Sequence, residues 1–163
     1  MTICTFQMRC LFGEIKNGRI QLHPFGQIVE EEWLKTPSLR PDVKLDEFVI
    51  MPNHVHGIIE FRDFQVELTL AWDRFGRTSG RPYPEHESSP LRCPPGSFGS
   101  MVKGFKSACQ RRINLLGQTP GKPVWQRNDH EHIIRDDQDL DDVREYVQAN
   151  PLCWKQEHPR AWH

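Results

Sequence analysis

Two histidines, His54 and His56, stand at alternate positions in the strand-like run MPNHVHGIIEF. Because side chains alternate along a β-strand, both imidazoles project to one side, while Val55 and Ile59 project to the apolar side that faces the core. Two adjacent imidazoles on a rigid strand can bind one metal ion. The pair by itself is also consistent with two half-exposed histidines that hydrogen-bond to neighbouring residues.

A metal ion bound by two histidines needs further ligands, and the last predicted helix offers one. Tyr146 and Asn150 are four residues apart in DDQDLDDVREYVQANP, so they share one helix face. If Asn150 reached the metal ion, Tyr146 would lie one turn away, beside the group that the ion polarises. Tyr146 could instead be a boundary tyrosine that flanks the apolar stripe of the helix.

Basic residues are concentrated between residues 102 and 127, a stretch without Asp or Glu, although the net charge of the chain is only -1. Most of the balancing acidic residues follow between residues 129 and 145. Charge segregated in this way favours a phosphate-bearing partner for the basic stretch. Two solvated helix faces of opposite sign would give the same pattern, so charge alone leaves both interpretations open.

Length and composition predict one globular domain over residues 1–163. A chain of 163 residues, 37% hydrophobic and 26% charged, can bury a core without disulfide bonds. Its five cysteines are scattered and never spaced as CxxC, which is typical of reduced thiols rather than of a zinc ribbon. No apolar run approaches the roughly 20 residues of a membrane span, so we expect a cytoplasmic protein without a membrane partner.

Strand patterns along the chain predict an antiparallel sheet. TICTFQMRCLF is predicted to form a first strand that pairs with RIQL across the turn signal KNGR. VKLDEFVIM and HVHGIIEF are predicted to form a second antiparallel hairpin across Pro52 and Asn53. The segment VWQRNDHEHIIR is expected to be extended.

Three segments with helical spacing complete an α+β fold in which helices pack on one face of the sheet. HPFGQIVEEEWLKT forms the first helix, and SFGSMVKGFKSACQRRINLLG, with Ser97 as its N-cap, forms the second. The Asp run DDQD suits the start of the last helix, and Pro151 is expected to end it. Frequent Gly, Pro and Ser predict a long flexible loop at about residues 74–96.

Three stretches resemble, in order and spacing, the REP-associated tyrosine transposases of the single-tyrosine HUH family; they are DEFVIMPNHVHGIIEF, GSMVKGFKSACQRRIN and VWQRNDHEHIIRDDQDLDDVREYVQANPLCW. The resemblance extends from about Thr2 to Trp154. The HUH signature is a histidine, a hydrophobic residue and a histidine, and it matches His54, Val55 and His56. A second signature, made of WQRN, EHIIR and YVQANP, follows at the expected spacing, and the two together are far more specific than an isolated HxH.

This resemblance implies the HUH nuclease version of a ferredoxin-like or RRM-like domain, with the histidines on a central strand. It implies that His54, His56 and Asn150 bind a divalent ion, Mg²⁺ or Mn²⁺, and that Tyr146 is the nucleophile. Imidazole ligands alone would favour Zn²⁺ or Mn²⁺, so the choice of Mg²⁺ depends on the family. The implied activity is cleavage and strand transfer of single-stranded DNA at imperfect REP-type hairpins, through a 5′-phosphotyrosine intermediate.

Contacts with the DNA are expected mainly from the basic stretch. The candidate DNA-binding residues are Lys103, Lys106, Arg111, Arg112, Trp125 and Arg127. Among them, Trp125 and Arg127 are available for stacking on bases or for backbone contact. Asp129 departs from the family pattern, because it adds negative charge beside the expected DNA path.

Two other functions stay open at this point. A domesticated or catalytically inactive relative would bind hairpin DNA or RNA without cleaving it. A metal-dependent phosphodiesterase would use water, rather than Tyr146, as the nucleophile. The sequence also leaves open whether the protein acts as a monomer or as a homodimer.

Overall fold

A computed structural model of the chain describes residues 1–61 and 97–157, with side chains as far as Trp154. The strands are β1 (Thr2–Thr5), β2 (Gly13–Lys16), β3 (Arg19–Leu22), β4 (Val43–Ile50), β5 (His54–Phe61) and β6 (Trp125–His130). The helices are α1 (Pro24–Leu34), α2 (Thr36–Leu39), α3 (Phe98–Leu116) and α4 (Asp137–Glu157). The loop predicted at about residues 74–96 lies outside the described residues. Within the described ranges, no helix is both long and apolar enough to cross a membrane.

Four of the strands form one antiparallel sheet in the order β4-β5-β1-β6, so the predicted α+β class with an antiparallel sheet is confirmed. β4 and β5 form the predicted hairpin, in which Val49 lies opposite His56. On its other side β5 pairs with β1, which places Thr2 opposite His56 and Cys4 opposite His54. The two histidines therefore lie on a central strand, as the sequence predicts.

α1 and α3 pack on one face of this sheet, in the arrangement expected of a ferredoxin-like fold. Trp33 of α1 is fully buried at the centre of this face and lies edge-on to Phe105 of α3, with ring centroids 5.3 Å apart. A Cβ atom at Gly57 of β5 would come within 2.4 Å of the Trp33 ring, so glycine allows the close approach. Ile3 and Val55, both at 0% exposure, complete the centre of this core.

α3 begins as the sequence predicts. The side chain of Ser97 accepts a hydrogen bond from the backbone N–H of Ser100, which satisfies one of the donors left open in the first turn of a helix. α1 also matches its predicted segment, and its apolar spacing buries Ile28, Val29 and Trp33. Both elements could be predicted because their signals are local.

The first hairpin differs from the prediction. β1 ends before a 3₁₀ turn in which Gln7 and Met8 adopt φ angles of 56° and 53°, so the chain changes direction there. RIQL pairs instead with Gly13–Lys16, and Asn17 and Gly18 make the turn with positive φ angles at both positions. The prediction that TICTFQMRCLF pairs with RIQL is therefore wrong, because β1 belongs to the large sheet and β2-β3 forms a separate small one.

The last helix continues past its proline. The sequence predicts an end at Pro151, whereas α4 runs on to Glu157 with Pro151 inside it. A proline within a helix removes one backbone hydrogen bond and costs roughly 3 kcal/mol. Burial of Trp154 beyond the proline offsets this cost, because its side chain packs against Ile15 and Met51 in a second, smaller core.

α4 lies across the sheet face that carries the histidines, opposite α1 and α3. Near its start, Arg144 donates two hydrogen bonds to the carboxylate of Asp46 on β4, at 3.0 and 2.6 Å. Near its end, Leu152 packs over Gly18, where a Cβ atom would come within 2.5 Å of the leucine side chain. The first five residues of β5 are consequently buried on both faces of the sheet. The interpretation of His54 and His56 as half-exposed strand histidines is therefore wrong.

Candidate functional site

His54 is enclosed and fixed by its surroundings. Its Nδ1 atom lies 2.7 Å from Oδ1 of Asn53, the residue that precedes it in the turn between β4 and β5. The ring of Trp154 lies beside it, with 6.0 Å between ring centroids. Only 5% of His54 is exposed, so its rotamer is set by hydrogen bonding and packing rather than by solvent.

His56 lies next to His54 and is held in the same manner. The two ring centroids are 4.5 Å apart, and Nδ1 of His56 lies 2.8 Å from Oγ1 of Thr2 on β1. Burial, and after it the neighbouring His54, lower the pKa of His56 to about 3, so the ring is neutral at pH 7. A neutral imidazole has one nitrogen with a lone pair, which is the form that binds a metal ion.

α4 brings the two other predicted site residues to this pair. Tyr146 lies against His56, with ring centroids 5.2 Å apart, whereas Trp154 lies against His54. α4 therefore runs antiparallel to β5 here, and Asn150, one helical turn from each aromatic residue, faces the histidines between them. The structure thus assembles His54, His56, Tyr146 and Asn150 from β5 and α4.

Asn150 and Tyr146 differ in their access to solvent. Asn150 is 2% exposed, and neither its Oδ1 nor its Nδ2 atom forms a hydrogen bond within the described part of the chain. A buried amide without hydrogen bonds lowers the stability of the fold by roughly 1–3 kcal/mol, and a bound ion, water or ligand commonly supplies the missing partners. Tyr146 is 50% exposed, so a large substrate can reach it.

These residues fit a divalent ion that keeps open coordination positions. Two imidazoles and one amide oxygen are three ligands without negative charge. Among the described residues, no group of three or more His, Cys, Asp or Glu could hold a metal ion, so a site here depends on the Asn150 amide and on groups from a substrate. Phosphate oxygens are suitable groups of that kind.

The predicted DNA-binding residues do not gather around the histidines. α3 packs on the opposite face of the sheet, because its Phe105 contacts Trp33, which lies under Gly57 on the core side of β5. Lys103 and Arg111 of α3 are exposed there. A DNA strand bound at the histidines would reach them only by passing around an edge of the sheet.

Two predicted DNA-binding cations are engaged in ion pairs. Arg112 contacts Glu31 and Glu32 of α1, each at 2.6 Å. Lys106 lies 3.0 Å from the carboxylate of Asp129, so the negative charge expected to repel DNA is largely compensated. Free phosphates would have to compete with carboxylates for both cations.

Trp125 is a core residue, and Arg127 is a surface residue. Trp125 is 6% exposed and packs against Phe12 and Phe105, with ring centroids 5.1 and 5.9 Å apart. Its Nε1–H donates to the backbone oxygen of Lys106 at 3.0 Å. Trp125 is therefore not available to stack on a base as the sequence suggested, because its ring packs against other aromatic rings, whereas Arg127 on β6 is exposed.

Sequence reasoning missed the two residues that hold the imidazoles. Asn53 is predicted only as part of a turn, and Thr2 only as part of a strand, although each contacts a histidine Nδ1 atom. The adjacency of Asn53 to His54 is a weak signal that could have indicated the first contact. The second contact depends on the register between β1 and β5, which no local pattern reveals.

The fold and the site define an α+β protein whose antiparallel sheet carries a buried histidine pair beneath a tyrosine-bearing helix. A Haemophilus influenzae protein (strain ATCC 51907 / DSM 11121 / KW20 / Rd), described as an uncharacterized protein, is 37% identical over 157 residues, which cover 96% of this chain and 81% of that protein. The chain belongs to the same family as this Haemophilus influenzae protein. No protein-family model and no solved structure matches the chain.

Proposed function

We propose that this protein cleaves single-stranded DNA at REP-type hairpins and transfers the cut strand through a 5′-phosphotyrosine intermediate, with Mg²⁺ or Mn²⁺ as its metal ion. The observation that carries this proposal is the contact between Tyr146 and His56, whose ring centroids are 5.2 Å apart. His54 is buried against His56, and Asn150 is buried one helical turn from Tyr146 on the same face of α4. The four residues that resemble the HUH transposase signature thus form one cluster, as that chemistry requires.

Strand cleavage needs a nucleophile and compensation of charge at the leaving oxygen. The hydroxyl oxygen of Tyr146 forms a bond to phosphorus and loses its proton, while the bond from phosphorus to the 3′ oxygen breaks and that oxygen gains a proton. The products are a 5′-phosphotyrosine and a free 3′-hydroxyl, and because the ester bond is kept, rejoining to another 3′-hydroxyl needs no ATP. A divalent ion held by His54, His56 and Asn150 would polarise the phosphate and stabilise the developing negative charge.

The state of His56 favours a ligand over a general base. With a pKa lowered to about 3 by burial, His56 is a much weaker base than an exposed imidazole. The hydroxyl of tyrosine ordinarily titrates near pH 10, so His56 is poorly matched to accept its proton. A neutral imidazole that takes part in metal binding accounts better for this side chain.

The anchoring of α4 supports a fixed nucleophile. The Arg144–Asp46 ion pair lies two residues before Tyr146, and the buried Trp154 lies two turns after it. A helix held on both sides of Tyr146 keeps this residue in one position, so less entropy is lost when the hydroxyl meets the phosphate. Half of the tyrosine nevertheless remains exposed to an incoming strand.

A covalent adduct is the decisive measurement. Single-stranded DNA containing a palindrome from the neighbourhood of the gene, incubated with the protein and Mg²⁺ or Mn²⁺, should give a protein–DNA band that survives denaturation. Tyr146→Phe should abolish this adduct, and removal of the metal ion by a chelator should abolish it as well. Tyr83→Phe, at the other of the two tyrosines of the chain, is the matched control and should leave the adduct intact.

Two results would point to other functions. Tight binding of hairpin DNA or RNA without cleavage would favour a nucleic-acid-binding protein without catalysis. Cleavage that persists in Tyr146→Phe would favour a metal-dependent phosphodiesterase in which water attacks the phosphate.

A further inference from the structure

Both histidines of the site turn the same ring nitrogen toward a protein neighbour. Nδ1 of His54 lies 2.7 Å from Oδ1 of Asn53, and Nδ1 of His56 lies 2.8 Å from Oγ1 of Thr2. The other nitrogen of each ring is Nε2, and Nε2 of His54 is fully buried. If the histidines bind a metal ion, they therefore bind it through Nε2.

Asn53 and Thr2 differ in what they impose on the rings. An amide oxygen only accepts hydrogen bonds, so Nδ1 of His54 has to carry the hydrogen, and the neutral ring then has its lone pair on Nε2. The hydroxyl of Thr2 can donate or accept, so it is compatible with either tautomer of His56. Asn53 alone therefore selects a tautomer.

The orientation of the Asn53 amide is itself fixed. Its Nδ2 atom lies 3.4 Å from the backbone oxygen of Met8, so reversal of the amide would place two oxygen atoms against each other. Its backbone oxygen accepts a hydrogen bond from Thr5 at 2.8 Å, which ties the turn between β4 and β5 to β1. Only 2% of Asn53 is exposed, so water does not compete for its hydrogen bonds.

We propose that Asn53 is a positioning residue that holds His54 in the tautomer with hydrogen on Nδ1, so that Nε2 presents its lone pair to the metal ion. This inference rests on the proposed function of the site and deepens it, because it assigns the control of one ligand to a side chain that does not bind the ion. Residues that orient metal ligands in this way typically change metal affinity about 10- to 100-fold.

The tautomer can be measured in the metal-free protein without any DNA. Long-range ¹H–¹⁵N NMR correlations of the imidazole rings distinguish a protonated ring nitrogen from an unprotonated one. We expect His54, whose signals are identified by their loss in His54→Gln, to be protonated on Nδ1 at neutral pH. If His54 of the wild-type protein is protonated on Nε2 instead, the proposal is overturned. This test does not depend on whether a substituted protein folds.

Two substitutions then separate hydrogen bonding from packing. Asn53→Leu removes the acceptor at similar volume, so His54 should lose its preference for Nδ1–H and the affinity for Mn²⁺ should fall about 10- to 100-fold. Asn53→Asp keeps an acceptor oxygen and should retain hydrogen on Nδ1. His56 is the internal control and should not change, because its Nδ1 partner is Thr2. A folded Asn53→Leu protein with unchanged His54 tautomer and unchanged Mn²⁺ affinity would contradict the proposal.

Failure of this inference and failure of the proposed function give different results. Nδ1–H on His54 in a protein that forms no phosphotyrosine adduct would leave the role of Asn53 standing and refute the cleavage activity. Adduct formation by a protein whose His54 is protonated on Nε2 would refute the role of Asn53 and leave the cleavage activity standing.

Discussion

The two faces of the four-stranded sheet differ in whether they bury polar side chains. Beneath α1 and α3 the sheet buries apolar groups, with Ile3 and Val55 packed under Trp33 at 0% exposure. Beneath α4 it buries His54 and His56, with Asn150 from the helix above them. Burial of apolar surface stabilises a fold, whereas burial of polar groups costs free energy unless partners compensate for it.

This difference indicates that the apolar face provides most of the stability, whereas the histidine face carries the proposed active site. The apolar face has the close packing that makes a core sensitive to the loss of a single side chain. The histidine face contains a buried amide without hydrogen bonds in the described part of the chain, and α4 is held over it by its two ends. We therefore expect the free energy of unfolding to fall when a buried apolar side chain is lost from the apolar face, and to rise when the buried amide on the histidine face is replaced by an apolar side chain.

The largest expected change in stability is at Trp33. Trp33→Ala removes the side chain that joins α1, α3 and β5, and it should lower the free energy of unfolding in urea by about 3–5 kcal/mol. Leu34→Ala, at the next residue and 56% exposed, is the matched control and should stay within about 0.5 kcal/mol of wild type. If Trp33→Ala does not fold, Trp33→Phe gives a smaller loss of the same sign. Equal losses at Trp33 and Leu34 would contradict the assignment of stability to the apolar face.

A gain in stability, rather than a loss, is expected from a substitution at Asn150. Asn150→Leu keeps a similar volume and removes a buried amide, so the free energy of unfolding should rise by about 1–3 kcal/mol. The same substitution should abolish the covalent DNA adduct, because it removes a proposed metal ligand. Gln148→Leu, at an exposed position of α4, should leave the adduct unchanged. A large loss of stability in Asn150→Leu would show that the amide contributes to folding rather than to a binding site.

Features of the fold that depend on local signals were open to prediction from the sequence. The β4-β5 hairpin follows from a turn-forming pair between two strand patterns, and α3 follows from its periodicity and its cap at Ser97. Pro151 shows the limit of this reasoning. Its local preference is to end a helix, but α4 continues because Trp154 is buried against Ile15 and Met51 of other segments.

The sequence predicted which residues form the candidate site but not how deeply they are buried. The resemblance to HUH transposases selects His54, His56, Tyr146 and Asn150. The structure brings the first three into contact, and Asn150 is buried one helical turn from Tyr146. Alternation along β5 could not reveal that α4 buries the histidines, since that depends on contacts between distant segments. The burial of Trp125 could not be predicted for the same reason. A tryptophan beside basic residues in the sequence suggests base stacking, but its contacts with Phe12 and Phe105 depend on the fold.

The smallest expected change concerns the ion pair that holds α4 over the histidine face. The hydrogen bonds from Arg144 hold the pKa of Asp46 below its usual range. A carboxyl group whose pKa is lower in the folded state contributes stability that is present above its unfolded value of about 3.9 and is lost as the pH falls through the folded value. Asp46→Asn should therefore be less stable than wild type at pH 7, by less than the changes expected at Trp33 and Asn150, and the difference should shrink as the pH falls from about 4 through the lowered pKa of Asp46.

Urea unfolding of the wild type and Asp46→Asn at a series of pH values measures this difference. Asp142→Asn, at an exposed position of α4, is the control and should stay close to wild-type stability at every pH. A difference between wild type and Asp46→Asn that does not decrease between pH 4 and pH 2 would show that the ionised pair is not what the substitution removes. A difference that shrinks as expected would mean that protonation of Asp46 removes the ion pair between β4 and α4 on the histidine side of the sheet, away from the Trp33 core.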